Sequence, residues 1–359
     1  MRKLILKNHL SFSFIKRMIV WHYNYYVMGR GTPISAGVYI IDSCNYRCKM
    51  CDIRAKKHPN IYPREKQERD IDALSKMGVI YYTISGGEPT LVKDLPERLA
   101  YAAQKIPYVH LVTNGSTMTT SLATRLGEAG IKEISISIDG ADEYHNAVRG
   151  VGNAFKKAWN AIDLLTKNAP DVQIVVNSVL TLNNLNNLRQ IRTRLRKEFP
   201  RALQKYLPLT YHELFLTNQQ TTINLPGQLS SHEELKSFIR EAITDTKVVN
   251  SRVFLGKAFQ YLTGKEDVLS EQKKCLYPYH AIEFDSFGNS YPCITGSEMK
   301  NLQQDIPQDL ESLVNSDNYR REQKRLEQCD RCRGSMMLCY YEPRLNFPLH
   351  NLLFNCFTK

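Results

Sequence analysis

Three cysteines lie close together in the sequence, at Cys44, Cys48 and Cys51, with three and then two residues between them. Thiolates are soft ligands that suit iron–sulfur clusters and zinc. A cubane cluster contains four irons, so three thiolates leave one iron without a protein ligand, free to bind a substrate or cofactor. The alternatives are a zinc knuckle and a chance grouping. We therefore predict an iron–sulfur centre with an open position.

Composition sets the limits of this interpretation. The chain has 359 residues, of which 42% are hydrophobic, enough for one large domain and a smaller one. Nine cysteines without a recognisable secretory signal favour metal ligation in a reducing compartment, and we expect a cytoplasmic protein. The net charge of +12 is compatible with nucleic acid or an anionic membrane as a partner, and does not choose between them.

The elements that would position the cysteines alternate along the chain. Strand-like runs lie at 38–42, 79–85, 108–113, 133–138, 172–179 and, more weakly, 206–215. Helical patterns lie between them, at 64–77, 94–105, 119–129, 153–168 and 184–199. Strand–helix units of this kind build a parallel sheet, so we predict an α/β fold with an open, partial (β/α)6 TIM-like barrel.

One strand indicates what the barrel encloses. Apolar and polar residues alternate strictly from Ile134 to Asp139. A strand buried on both faces usually reads as a continuous apolar run, so alternation predicts one face toward helices and one toward a polar lumen. Polar or flexible residues also follow the strands, as at Ser85–Pro89 and Thr113–Gly115. In βα barrels the site forms at these carboxyl ends.

Taken together, residues 38–180 resemble the core of the radical S-adenosylmethionine (SAM) superfamily. The resemblance is carried by the three cysteines after the first strand and by Ser85-Gly-Gly-Glu-Pro89 after the second. It implies a [4Fe-4S] cluster and SAM as cofactors. Residue by residue, it implies SAM contacts at Gly86, Gly87, Glu88, Thr113, Asn114, Ser137, Asp139, Arg149 and Asn177.

The resemblance also assigns roles to these residues. The glycines let the backbone approach the amino group of SAM, and Glu88 accepts from that ammonium directly or through its backbone. Ser137 and Asp139 lie near the ribose, and Arg149 near the carboxylate, which a guanidinium matches in geometry. Asn177 bridges to the ribose or the carboxylate, and Thr113 and Asn114 lie beside the cofactor. His145 by itself favours a structural role.

As implied by the family, the protein is an enzyme that cleaves SAM reductively to a 5′-deoxyadenosyl radical. That radical abstracts hydrogen from an unactivated C–H bond of a substrate. A flavodoxin- or ferredoxin-type protein would donate the electron. The cofactors carry the chemistry, so no catalytic acid or base is identified in the chain. The substrate is not identified either; a peptide and a lipid or lipid-linked molecule are the two candidates.

A second cysteine set lies in the C-terminal part. Its pattern resembles the SPASM/twitch auxiliary-cluster extensions of radical SAM enzymes, and the residues are Cys275, Cys293, Cys329, Cys332, Cys339 and Cys356. We favour one auxiliary [4Fe-4S] cluster on the first four, with the last two as free thiols. A competing arrangement places the last four on one cluster and leaves the first two on an incompletely ligated second cluster. A structural zinc site on the first four is the alternative.

The chain thus divides into four parts: a basic amphipathic segment at 1–37, the barrel at 38–216, a linker with helices at 217–270, and the cysteine-rich extension at 271–359. The first 41 residues contain no acid and six bases, and their longest uncharged run is too short for a membrane span. The segment either lies on the inner membrane surface or packs across the bottom of the barrel as a helix.

A protein of another class remains as the alternative function. The run from Arg189 to Arg201 carries six bases, which suits a non-catalytic iron–sulfur or zinc protein that binds nucleic acid. No aromatic platform is interleaved with these bases apart from Phe199, so a solvated helix face is favoured and nucleic acid is an unlikely partner.

Overall fold

A computed structural model describes residues 12–29, 31–210, 225–264, 275–294, 296 and 309–329. Within them, eight strands form one sheet: β1 Ser35–Tyr39, β2 Tyr81–Ser85, β3 Tyr108–Thr113, β4 Glu133–Ser137, β5 Gln173–Leu180, β6 Leu203–Pro208, β7 Ala281–Phe284 and β8 Ser290–Tyr291. Their order is β6-β5-β4-β3-β2-β1-β7-β8, with β1–β7 parallel and β8 antiparallel to β7. The predicted α/β fold with an open parallel barrel is confirmed.

Helices follow most of the strands. They are α1 Phe12–Tyr26, α2 Arg64–Met77, α3 Leu95–Lys105, α4 Thr120–Glu128, α5 Asp142–Arg149, α6 Ala154–Asn168, α7 Leu185–Glu198, α8 His232–Thr244, α9 Arg252–Leu262, α10 Tyr277–His280, α11 Leu310–Asn315 and α12 Asp317–Leu326. A short 3-10 helix, Pro89–Leu91, precedes α3. Helix α5 was not among the predicted elements.

Strand β4 divides its side chains as the alternation predicts. Ile134 and Ile136 are fully buried in the main apolar core, together with residues of the surrounding helices. Glu133, Ser135 and Ser137 point the other way, into the barrel. Because adjacent strands are in register, the polar residues of successive strands form layers across the lumen.

The lower layers of the lumen form a buried hydrogen-bond network. The two ring nitrogens of His110 contact the Tyr81 hydroxyl and the Ser135 hydroxyl, both at 2.9 Å. Tyr108 and Ser135 donate to the two carboxylate oxygens of Glu133, at 2.7 and 3.1 Å. Burial lowers the pKa of His110 to about 4, so the imidazole is neutral at physiological pH. The lumen is therefore polar, as predicted.

The sheet continues beyond the six predicted barrel strands. An antiparallel hairpin of β7 and β8 lies in the C-terminal extension, and its strand β7 pairs in parallel with β1, Ser35 opposite Ala281. Strand β1 begins earlier than the predicted run at 38–42, and β6 begins earlier than the run at 206–215. Residues 211–215, the rest of that weaker run, lie outside the described part of the chain.

Helix α1 packs at the amino ends of the central strands. Trp21 is 1% exposed, and its indole N–H donates to the carbonyl of Tyr279 at 3.1 Å. Arg17 donates to the carbonyl of Val79, just before β2, at 2.8 Å. The helix thus covers the bottom of the barrel, one of the two expected arrangements. None of the helices in the described ranges combines the length and apolarity that a membrane span requires.

Three arginines of the basic helix α7 pair with acids at the neighbouring helix α8. Arg189 and Arg192 both donate to the carboxylate of Glu241. Arg196 pairs with Asp245, which directly follows α8. Arg194 stacks over the ring of Trp159, 4.5 Å from its centroid. These arginines are engaged in contacts with neighbouring helices. The run of basic residues therefore no longer supports nucleic-acid binding.

Candidate cofactor site

The cysteine loop follows β1 and rests on the end of α5. The backbone N–H groups of Arg47 and Lys49 donate to the carbonyls of Arg149 and Val148, at 3.2 and 2.8 Å. Helix α5 ends at Gly150, whose φ is +66°, and a Cβ there would lie 2.4 Å from the Arg47 carbonyl oxygen. Only glycine allows this approach, so the end of α5 fixes the path of the loop.

The three thiols share one partly buried cluster. Cys48 is 8% exposed, and Cys44 and Cys51 pack beside it. Burial raises the pKa of Cys44 to about 11 and also raises that of Cys51. Thiols in this environment stay protonated unless a metal ion stabilises the thiolate. Arg149 Nη1 lies 3.9 Å from Cys48 Sγ, and Asn114 Nδ2 lies 3.9 Å from Cys44 Sγ, so donors surround the sulfur atoms.

Gly86 and Gly87 join the end of β2 to the cysteine loop. A Cβ on Gly87 would lie 2.0 Å from the Ser43 carbonyl oxygen, and one on Gly86 would lie 2.7 Å from that of Ile41. The N–H groups of Gly87 and Glu88 donate to those same carbonyls, at 2.7 and 2.9 Å. The carbonyls of the two glycines accept no hydrogen bond from any described residue. A pair of open carbonyl acceptors thus lies beside Cys44.

The carboxylate of Glu88 accepts hydrogen bonds from other residues of the chain. Glu88 is 1% exposed and accepts from the Thr113 hydroxyl at 2.6 Å, the Asn114 N–H at 2.7 Å and the Thr90 hydroxyl at 2.5 Å. Burial raises its pKa in spite of these bonds. The side chain therefore ties the end of β2 to the end of β3. The Glu88 carbonyl accepts from the Leu91 N–H at 3.1 Å, so the open backbone acceptors here are those of Gly86 and Gly87.

Asp139 and Arg149 form a buried ion pair behind the cysteine loop. Arg149 Nε donates to Asp139 Oδ2 at 2.7 Å, and the N–H of Val179 donates to Asp139 Oδ1 at 2.9 Å. Burial opposes the charge of Arg149, but Asp139 and Cys48 outweigh it and raise its pKa. His145 accepts from the Asp139 N–H at 3.0 Å and is fully buried, which fits the structural role expected for it.

Ser137 and Asn177 lie side by side at the top of the lumen. They are opposite each other in the β4–β5 register. Neither side chain forms a hydrogen bond with another described residue, and Asn177 Oδ1 is buried without a partner. A buried amide oxygen left unpaired costs free energy unless a ligand or water satisfies it. These two side chains therefore fit a polar ligand such as a ribose.

Three of the C-terminal cysteines also come together. Cys275 and Cys293 are buried in one cluster with Cys329 packed against it. A Cβ on Gly296 would lie 3.1 Å from Cys329 Sγ and 3.7 Å from Cys293 Sγ, so these two sulfurs flank the glycine. The group lies near the start of β7, at the opposite end of the sheet from the catalytic cysteine loop. Cys332, Cys339 and Cys356 lie outside the described residues.

The residues at the carboxyl ends of the strands fit a cubane cluster and SAM. Three thiols in one loop, two open carbonyls, a buried guanidinium and an unpaired amide face the same edge of the barrel. Among described residues, no three His, Cys, Asp or Glu side chains are arranged around a single metal ion. A cubane spreads its ligands over separate irons.

A family model confirms what these residues suggest. The model of the radical SAM superfamily matches residues 38–193. This match places residues 38–193 in the radical SAM superfamily. The match implies a [4Fe-4S] cluster and SAM as cofactors, and the matched segment contains every SAM contact inferred from the sequence.

Similar proteins are found among curated synthases and maturases. An AdoMet-dependent heme synthase from Oleidesulfovibrio alaskensis is 34% identical over 154 residues, 42% of this chain and 39% of that protein. The mycofactocin maturase MftC from Mycolicibacterium smegmatis is 33% identical over 162 residues, 45% of this chain and 41% of that protein. The chain thus spans about two fifths of the length of these relatives.

Solved structures share the fold over more of the chain. Streptococcus suis SuiB bound to S-adenosylmethionine has a TM-score of 0.58 at 14% identity, covering 88% of this chain and 76% of that one. SuiB bound to its precursor peptide SuiA gives 0.60 at 15% identity, covering 85% and 69%. At this identity the likeness shows the fold alone, an open parallel barrel.

Proposed function

We propose that this protein is a radical SAM enzyme that modifies a peptide substrate. The observation that carries the proposal is the set of Cys44, Cys48 and Cys51 in one loop, held against unpaired polar groups at the carboxyl end of an open barrel. When bound, the cluster and SAM supply a 5′-deoxyadenosyl radical, formed with methionine as one electron breaks the S–C5′ bond, and the radical takes a hydrogen atom from an unactivated substrate carbon.

The chain's own residues bind and orient the cofactor. The carbonyls of Gly86 and Gly87 accept from the SAM ammonium, since no described group uses them. Arg149 binds the SAM carboxylate while Asp139 holds its guanidinium in place. Ser137 and Asn177 bind the ribose. In this proposal Glu88, Thr113 and Asn114 act by positioning, because their mutual hydrogen bonds fix the two loops that flank Cys44.

Two observations support a peptide as the substrate. Curated relatives include a maturase, and SuiB, which shares the fold, has been solved with its precursor peptide. The electron would come from a reduced flavodoxin- or ferredoxin-type protein. The test is anaerobic incubation of the reconstituted, dithionite-reduced protein with SAM and candidate peptides. We expect 5′-deoxyadenosine to accumulate and a candidate peptide to lose hydrogen. If SAM stays intact under reducing conditions that support cleavage by a known family member, the proposal is wrong.

We further propose one auxiliary [4Fe-4S] cluster in the extension 271–359, after the linker and helices at 217–270 and the barrel at 38–216. Three of its four ligands, Cys275, Cys293 and Cys329, already share one cluster in the fold, which supports this choice. Cys332 would be the fourth ligand, with Cys339 and Cys356 as free thiols. Each cubane carries four irons, so we expect about 8 irons per chain. About 12 irons would instead support two auxiliary clusters.

A second proposal concerns the outer face of α1 in the segment 1–37. The face opposite Trp21 exposes Ile19 at 64% and Tyr23 at 55%, and no described acid lies on this helix. We propose that this protein is cytoplasmic and docks through this face on the inner membrane surface. A lipid or lipid-linked molecule is then the competing candidate for the substrate.

Vesicle flotation tests the docking. The full chain should float with vesicles containing anionic lipid at low salt. The variant Ile19→Ser/Tyr23→Ser should stay at the bottom, because it removes exposed apolar groups without touching the face that packs on the barrel. The matched control is Leu229→Ser, which removes another exposed apolar side chain, 68% exposed, away from α1. A full chain that does not float excludes membrane docking and leaves the peptide as substrate.

A further inference from the structure

Lys205 is the only lysine or arginine in the eight described strands. It lies in β6, where Gln204 and Tyr206 are buried against the helices and Lys205 between them is half-buried. Because strand side chains alternate, Lys205 points into the lumen. The positive charge of Lys205 lowers the pKa values of His110 and Glu133, two buried lumen residues, which supports this direction.

In the strand register, Lys205 belongs to the upper layer of the lumen. Lys205 is opposite Asn177 in the β5–β6 register, and Asn177 is opposite Ser137 in the next strand. Strand β6 is an edge of the sheet, five strands from β1 and its cysteine loop. Lys205 therefore lies in the barrel strand farthest in sheet order from the cysteine loop, whereas Arg149 contacts Cys48 in that loop.

No described residue pairs with this ammonium. Lys205 forms no hydrogen bond or ion pair with the residues that the structure describes. The two acids of the strands are already engaged: Glu133 by Tyr108 and Ser135, and Glu283 by the N–H of Ile294 at 2.7 Å. A cation inside a barrel loses hydration, so an unpaired one costs free energy that a bound anion would recover.

We propose that Lys205 binds a carboxylate of the substrate and so orients an acidic peptide beneath SAM. The proposal rests on the function proposed above and adds the chemical class that the site selects, a substrate with an anionic side chain or terminus. The guanidinium of Arg149 takes the carboxylate of SAM beside the cysteine loop, so the two cations receive different anions. The neighbouring amide of Asn177 offers a further donor at the same level of the lumen.

Amine labelling of the reconstituted full chain tests this directly. The protein is treated with a water-soluble acetylating ester, and acetylation of each lysine is followed by peptide mass spectrometry. Glutarate is the probe, since it carries the carboxylate of an acidic side chain. With a Kd of about 10 mM, about 20 mM glutarate should slow acetylation of Lys205 about threefold. The control is Lys132, also half-buried, which lies just before β4 at the other end of the barrel.

Further control ligands show which kind of anion binds Lys205. Sodium chloride at equal ionic strength and the neutral glutaramide should not protect Lys205. S-adenosylhomocysteine should leave the glutarate effect in place, because its carboxylate goes to Arg149. If inorganic phosphate protects Lys205 better than glutarate does, the site prefers a phosphate to a carboxylate, and the proposal is overturned. Protection by S-adenosylhomocysteine alone, equal protection by chloride, or a Lys205 that is never acetylated would also overturn it.

Thermal unfolding gives a second measurement that does not depend on labelling. Glutarate should raise the Tm of the wild type and of Lys205→Arg above the value in chloride, and should not raise that of Lys205→Met. An equal rise in Lys205→Met would contradict the proposal. Neither measurement needs turnover. If neither measurement shows glutarate binding, the anion site is wrong but the SAM-cleavage assay still tests the proposed function. If SAM is not cleaved, these two measurements still test the anion site.

Discussion

Replacing Asp139 with Asn should destabilise the protein strongly, because it isolates a buried cation. The side chain of Asp139 is 1% exposed and that of Arg149 is 13% exposed, and they meet at 2.7 Å. Asn keeps an acceptor for the N–H of Val179 but cannot neutralise the guanidinium. Removing one partner of a buried pair costs about 3–5 kcal/mol. Since Arg149 is slightly exposed, we expect about 3 kcal/mol, measured by anaerobic urea denaturation of the full chain.

A double-mutant cycle separates the pair from its surroundings. Arg149→Met alone leaves the Asp139 carboxylate buried, whereas Asp139→Asn/Arg149→Met removes both charges. The double variant should therefore be less destabilised than the sum of the two single variants by more than about 1 kcal/mol. Additive effects, or a loss below about 1 kcal/mol for Asp139→Asn, would refute the view that this ion pair holds the guanidinium behind the cysteine loop.

Three other variants test separate parts of the account. Trp21→Ala should cost about 3–5 kcal/mol in urea denaturation, because the indole is buried against the barrel, while the exposed Tyr23→Ala should stay within about 0.5 kcal/mol. Gly87→Ala should lower iron incorporation at the cysteine loop, since its Cβ would meet a backbone carbonyl at 2.0 Å. Glu241→Gln should unfold at lower urea than the wild type at pH 7. Hydrogen bonds from Arg189 lower the pKa of Glu241 to about 2, so its contribution is present above the ordinary value of 4.5 and is lost as the pH falls toward about 2, where the two proteins should become equal.

Local patterns were enough to predict the barrel. The strict alternation in β4 predicted a polar lumen because strand side chains point to opposite faces whatever the rest of the fold does. The cysteine spacing and the Gly-Gly pair are equally local. The structure adds the reason for Gly87, since a Cβ there would lie 2.0 Å from the Ser43 carbonyl oxygen.

Contacts between distant parts of the chain could not be predicted in this way. The pairing of β7 with β1 joins residues almost 250 positions apart, Ser35 and Ala281, and no periodicity encodes such a partner. The same holds for Trp21 and the Tyr279 carbonyl. The arginines of α7 looked solvated or available to nucleic acid because the acids that neutralise them lie on α8, some 50 residues later.

Lys205 shows a further limit of sequence analysis. The sixth strand was predicted a few residues too late, at 206–215, which left Lys205 outside it. A one-residue change of register moves a side chain to the other face of a sheet. Only the observed register with Asn177 directs this ammonium into the lumen.

The most direct test of the central claim compares the full chain with its Cys44→Ala/Cys48→Ala/Cys51→Ala variant after anaerobic reconstitution. Iron per chain and 5′-deoxyadenosine formed from SAM under dithionite are measured on the same samples. The variant should lose about four irons, the content of one cubane, keep those of the auxiliary cluster, and form no 5′-deoxyadenosine. Undiminished 5′-deoxyadenosine from the variant would contradict the assignment of these three cysteines as the ligands of the SAM-binding cluster.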